Sequence, residues 1–443
     1  MTSFINTELQ ETDWGHPDSA IRLATAVHRF PTPLIRDKAN FQRSFKTVGT
    51  HAFTKPKILR ADATRNDLKE ALEAKRPLPE QVIHAAEEYL PLIQQILVTC
   101  KFQPESARLD EMLVFEWCSG VEPETALSSE DKKKKSKKGI KKERKVYKSE
   151  ALMYDMVMTI ATIALGRGWA ACDASASGDF KVASQNFCKA AGIMEYLETD
   201  ALPQWNARGT VSQESLPSEI VVGTCKGLKL LFLIQAQQMA VATILIKPGT
   251  PNYGLLAKLC LSITEKVEEF VNIMRKEAFP QMNKMDTEFF TLLTFHIYYQ
   301  RSLALYFQAR QKWDEGQYGM GIALLSEAAQ ELKFRDSSTS AGLPDVSKTQ
   351  TLHMLDKDLK DFQTHLKKLL KYWEDDNSSV YFDRVPPKVA AQDKLQKGHF
   401  IGKTVPFALL TEDVQPLPLT LPDHVIQRSD SDLARQLEKQ LNM

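Results

Sequence analysis

Gly316-Gln317-Tyr318-Gly319-Met320-Gly321-Ile322-Ala323-Leu324-Leu325-Ser326-Glu327-Ala328-Ala329 carries the reading of the fold. A glycine breaks one apolar helix, an aromatic opens the next, and a pair of alanines lets a neighbouring helix approach closely. The grammar recurs upstream, where Gly178-Asp179-Phe180 is followed by Ala190-Ala191 at the same spacing. These are helical hairpins of tetratricopeptide type, but two copies are too few for a regular solenoid. The expectation is a mainly α protein with a tetratricopeptide-like helical-hairpin core.

Outward from these hairpins, helical periodicity runs almost without interruption from Ser149 to Trp373. A last long helix, Lys348 to Trp373, should stop at Glu374-Asp375-Asp376-Asn377-Ser378-Ser379. Upstream, Val82, Ile83, Ala86, Tyr89, Leu90, Ile93, Ile96 and Leu97 recur at helical steps and predict a helix despite Pro91. Residues before about 79 mix Pro, Gly, Thr and charges, which predicts a partly irregular N-terminal arm. Between 108 and 121, Leu113, Phe115 and Trp117 alternate with Val114, Glu116 and Cys118, the period of a strand, so a small β element is expected there. Pro387, Pro406, Pro416, Pro418 and Pro422 predict an extended Pro-rich C-terminal arm, with a short tail helix over 432–441.

The 57 Lys and Arg residues nearly balance 56 Asp and Glu, yet Lys132 to Lys148 alone holds eleven basic residues and one acid. Without that run the body has 46 basic against 55 acidic side chains, the wrong sign for a nucleic-acid-binding surface. Lys132, Lys133, Lys134, Lys135, Lys137, Lys138, Lys141 and Lys142 cannot pack together and predict a mobile insert at about 124–148. Against a solvated insert stands contact with an anionic surface, acidic lipid headgroups being preferred; with no interleaved aromatics, single-stranded nucleic acid is a poor fit.

Six scattered cysteines without a CxxC pair argue against a disulfide framework or zinc knuckle and fit a reducing, cytoplasmic setting. The polar first residues lack a signal-peptide pattern, and Gly227 to Ile246 reads as a buried helix, not a membrane span, because Lys229, Gln235, Gln237 and Gln238 interrupt it. The nine histidines show no HExxH spacing, there is no Walker loop or Gly-x-Ser-x-Gly elbow, and Gly166-Arg167-Gly168 lacks a third glycine. Glu374, Asp375 and Asp376 read as a solvated helix end, not a metal site. No enzymatic activity, cofactor or metal is expected.

Val380-Tyr381-Phe382-Asp383-Arg384-Val385-Pro386, after its acidic-Asn cluster, resembles the terminal signature of the Bro-one domain family, to which ALIX and BROX belong. Phe115-Glu116-Trp117, Lys189-Ala190-Ala191-Gly192, Gln235-Ala236-Gln237 and the Tyr318 hairpin agree with it in order. The resemblance covers roughly residues 50 to 410. Val405-Pro406-Phe407 after Gly402 resembles the closing arm of the BROX subgroup, although the chain ends Gln440-Leu441-Asn442-Met443 without that subgroup's prenylation cysteine. The family implies one banana-shaped domain over 1–422, followed by a short tail, 423–443.

The resemblance also implies a non-enzymatic scaffold of endosomal sorting. Such a scaffold holds the amphipathic C-terminal helix of a Snf-type ESCRT-III subunit in a concave groove and is recruited peripherally to endosomal membranes. Leu255 and Leu259 match two aliphatic groove positions and Lys181 a basic rim position. Ala240 and Thr243 depart from the family, falling where a bulky aromatic and a basic residue can stand. On this expectation, Leu255→Asp with Leu259→Asp abolishes binding in a folded protein. Tyr381 matches a tyrosine that kinases modify in some members; its alternative role is to lock the last helix to the arm. The competing functional reading is a generic tetratricopeptide-like adaptor, or an acidic-membrane binder acting through the lysine insert.

Overall fold

Several helices of the computed structural model begin where a side chain satisfies a free N–H of the first turn. Asn40 accepts from Arg43 N, Asn252 from Leu255 N and Asp286 from Glu288 N. The structure describes residues 17–103, 110–126, 142–206, 215–334, 342–350, 352–409 and 414–420. In chain order these form α1 (Asp18–Ala24), β1 (Leu34–Ile35), α2 (Phe41–Ser44), α3 (Thr54–Glu73), α4 (Pro79–Phe102), β2 (Phe115–Cys118), β3 (Thr125–Ala126), β4 (Lys142–Glu143) and β5 (Val146–Ser149). Then follow α5 (Leu152–Ala176), α6 (Phe180–Tyr196), α7 (Leu202–Asn206), α8 (Val222–Leu245), α9 (Tyr253–Glu277), α10 (Phe279–Met282), α11 (Thr287–Asp314), α12 (Tyr318–Glu331) and α13 (Leu355–Asp376). The protein is mainly helical, with a small sheet in its N-terminal third.

The chain divides into two compact units, each assembled from three segments. One comprises Phe30–Arg167, Gly192–Cys225 and Pro406–Met443. Its sheet has antiparallel order β1-β2-β5, with Trp117 opposite both Ile35 and Tyr147. Leu113, Phe115 and Trp117 are buried and Val114 is exposed, as strand alternation requires, although Cys118 is buried too. Behind the sheet Arg65 of α3 donates to both Asp37 and Asp155, while Tyr89 and the Trp117 indole also donate to Asp155, at 2.6 and 2.7 Å. Burial works against the Arg65 charge, but Asp155 and Asp37 overcome it and hold the guanidinium above its ordinary pKa.

That cluster corrects the irregular N-terminal arm. Residues 54–73 form a full helix whose inner face, Ile58, Ala61, Arg65, Leu68 and Leu72, keeps helical spacing around a charged centre. An arginine in the middle of the stripe masks its apolar periodicity. The ends of the lysine insert are corrected too: residues 125–126 pair with 142–143, and 146–149 pair with β2. Lys142 thus belongs to a strand backbone, whereas Lys132, Lys133, Lys134, Lys135, Lys137, Lys138 and Lys141 lie outside the described residues, as does the expected helix at 432–441.

The other unit comprises Met1–Arg29, Gly168–Ala191 and Lys226–Val405. Its hairpin turns are those read from sequence: Gly178 and Gly316 adopt φ of +83° and +77°, which favours glycine. Ala190, Ala191 and Ala328 are fully buried. Most of the apolar length of α8 is buried, 72% of its most hydrophobic window, as expected of a core helix. Leu359, Phe362, Leu366, Leu369 and Trp373 form the inner stripe of α13, and Trp373 stacks on Trp313 with centroids 4.2 Å apart.

The bounds of this last helix differ from expectation. It starts at Leu355 and runs through Asp376 into a π turn over Asn377–Tyr381. Exposed acids do not stop a helix that still has an apolar face to bury. The stop is Asn377, whose backbone carbonyl accepts from Phe382 N and whose side chain bonds both N and O of Asp383, with Phe382 left-handed at φ 56°.

Candidate functional site

The parts of α6, α8 and α9 that belong to the second unit lie side by side in alternating direction. Phe187 stacks on Phe232 and Ser184 Oγ donates to Ala236 O, so α6 runs antiparallel to α8. Gly227 abuts Phe270 and Met274 while Gln237 Nε2 donates to Leu259 O at 2.9 Å, so α9 is antiparallel to α8 as well. These registers put Lys181 level with Ala240, and Thr243 level with Leu255.

The chain's own arm crosses this layer. Gly398 N donates to Glu265 and His399 N to Lys258 O on α9; Ile401 N donates to Gln237 Oε1 on α8; Val405 N donates to Cys188 O on α6. His399 O in turn accepts from Gln237 and Ser262. Gly398 lies against the Ser262 backbone and Gly402 against Leu233 O, with no space for a Cβ at Gly398. A buried side-chain amide of α8, that of Gln237, thus ties the extended segment to the helices.

Beyond the arm, toward the C-terminal end of α8, the layer is open. Leu255 is 37% exposed, Ala240 and Thr243 are half-buried, and Lys181, Val182 and Ile246 are exposed. Leu259, one turn from Leu255, is only 1% exposed and does not share this surface. It sits where α8 and the arm close on α9. Tyr381 belongs to another corner, stacked on Tyr318 with centroids 3.6 Å apart, edge-on to Trp313 and 40% exposed.

The sequence reading missed Gln237, Gly398 and His399 as the clamp that bounds the open surface. The glutamines inside an apolar helix were the available signal, because a buried amide requires a partner. Lys258 was missed as well, although Leu255-Leu256-Ala257-Lys258-Leu259 places a cation inside an apolar run.

A mainly helical domain with a tetratricopeptide-like hairpin pair, a three-stranded sheet and an arm crossing a helical face defines the class. The chain belongs to the BRO1-like domain family, which matches residues 52–419. Among solved structures it is similar to ALIX in complex with the SIVmac239 PYKEVTEDL late domain, at TM-score 0.64 and 16% identity over 88% of this chain and 50% of that one. It thus spans half the length of that ALIX chain. It is similar to the ALIX BRO1 domain in complex with CHMP4C, at TM-score 0.62 and 16% identity over 88% of this chain and 98% of that one. A Bro1 domain studied as the basis for endosomal targeting gives TM-score 0.62 and 17% identity over 86% and 93%. At these identities the likeness concerns the fold. No curated protein sequence matches the chain.

Proposed function

We propose that this protein is a non-enzymatic adaptor that holds the C-terminal amphipathic helix of a Snf-type ESCRT-III subunit on the open part of the α6–α8–α9 layer. The reading rests on the exposed Leu255 at the edge of a layer that the chain's own arm only partly covers. Family membership and the ALIX complex with the ESCRT-III subunit CHMP4C support it. Ala240 leaves room for a larger apolar side chain of the partner, Thr243 offers a hydroxyl, and Lys181 borders the surface with positive charge. Such an adaptor works at endosomal membranes by peripheral recruitment through its partners.

The test is binding of fluorescently labelled ESCRT-III C-terminal helices to the wild-type protein and to Leu255→Asp, with circular dichroism on both. Burying one leucine contributes about 1.5 to 3 kcal/mol, so a folded Leu255→Asp protein should bind at least about tenfold more weakly. Unchanged binding, or none by the wild type, sinks the proposal.

A further inference from the structure

Beside Leu255 a recess of about 720 Å³ opens between the start of α9, the end of α11, the start of α12 and residues 392–395 of the arm. Lys258, Lys312 and Lys394 stand in its wall, with Gln308, Gln311 and one acid, Asp393. Lys312 is engaged by Glu315 at 3.0 Å and Lys394 by Glu327. Lys258 is exposed and makes no ion pair among the described residues. Two long helices, α9 and α12, begin at this recess, adding the partial positive charge of their N-termini.

Leu255 and Lys258 are three residues apart on α9, so they face the same ligand about one helical turn apart. An exposed apolar anchor beside a cation that makes no ion pair among the described residues, at a largely polar recess, is a two-part recognition element. We propose that the recess receives an acidic side chain of the bound helix, one turn from the apolar residue that packs on Leu255, with Lys258 as its partner. This rests on the helix-binding reading above and adds the charge pattern of the ligand: apolar anchor, then aspartate or glutamate three or four residues away. The paired Lys312 and Lys394 line the recess without a free charge of their own, which singles out Lys258.

The experiment titrates labelled ESCRT-III C-terminal helices, and versions with each acidic residue near the apolar anchor changed to Lys, against wild type, Lys258→Gln, Lys258→Glu and Leu255→Asp. Circular dichroism confirms folding, which the exposed Lys258 side chain should not perturb. Lys258→Glu should weaken binding at least tenfold, flatten the salt dependence of Kd, and be rescued by one acid-to-Lys peptide. Wild-type affinity and salt dependence in both Lys258 variants, with binding still lost in Leu255→Asp, overturns the recess proposal alone. No binding to the wild type, or indifference to Leu255→Asp, overturns both.

Discussion

Arg65 grips Asp37 through two parallel hydrogen bonds of 2.8 Å, in a site where the two side chains are 4% and 3% exposed. The same guanidinium reaches Asp155 at 3.0 Å, so one cation serves two buried acids that come from residues far apart in sequence.

Removing that cation strands both carboxylates. Arg65→Met is expected to cost about 3 to 5 kcal/mol, because a buried charge left without its partner is far more expensive than the pair was valuable. Urea unfolding monitored by tryptophan fluorescence checks this; a loss below about 1 kcal/mol would show that the cluster is better solvated than its geometry says.

Leu255 and Leu259 should separate cleanly in stability. Leu255→Asp, at a site 37% exposed, gives up only part of the leucine's burial and is expected to cost about 1 to 2 kcal/mol. Leu259→Asp puts a carboxylate into a buried site and should cost about 4 kcal/mol or more, or leave the chain insoluble. The double substitution is therefore a folding defect before it is a binding defect, and thermal melts of the two single variants would reveal it.

Stability should depend on pH through opposed groups. Burial pushes Glu219 up to about 7, against the Ser119 and Gly120 hydrogen bonds that favour its charged form. A raised carboxyl pKa stabilises fully below the unfolded value near 4.5 and loses that stabilisation as pH rises through about 7. Burial lowers His296 to about 4, so its contribution is present above 6.5 and lost as pH falls through 4. Glu219→Gln should thus gain on the wild type by about 2 to 3 kcal/mol between pH 5 and pH 8. Parallel stability curves for the two proteins over that interval would refute the assignment.

Gly398→Ala should loosen the arm. A methyl there meets the Ser262 backbone, so the clamp formed by Gln237, Ser262 and His399 must open. Limited proteolysis should cut within 394–407 several times faster than in the wild type, with little change in helical circular dichroism. Equal cleavage rates would mean that α9 yields instead.

Legibility in the sequence followed the physics of each element. The Gly178 and Gly316 turns, the strand at Phe115–Trp117 and α8 could be read because each depends on neighbours within a few residues. Residues 54–73 could not, since Arg65 looks like a surface residue until Asp37 and Asp155 stand beside it. The end of α13 was misplaced for a similar reason: the Asn377 and Asp383 hydrogen bonds stop it, not the charges of Glu374 to Asp376.

By itself the sequence determined the helical class, the hairpin chemistry, the charge segregation and the motifs that mark the family, all of which reside in local spacing and residue type. The tertiary structure alone decided that Leu255 faces outward while Leu259 is sealed, that the arm fills part of the helical layer, and that Lys258, beside a recess, makes no ion pair among the described residues. Exposure and charge compensation are properties of what packs against a residue, and those neighbours come from α6, α8, α11, α12 and the arm, separated along the chain by up to some two hundred residues.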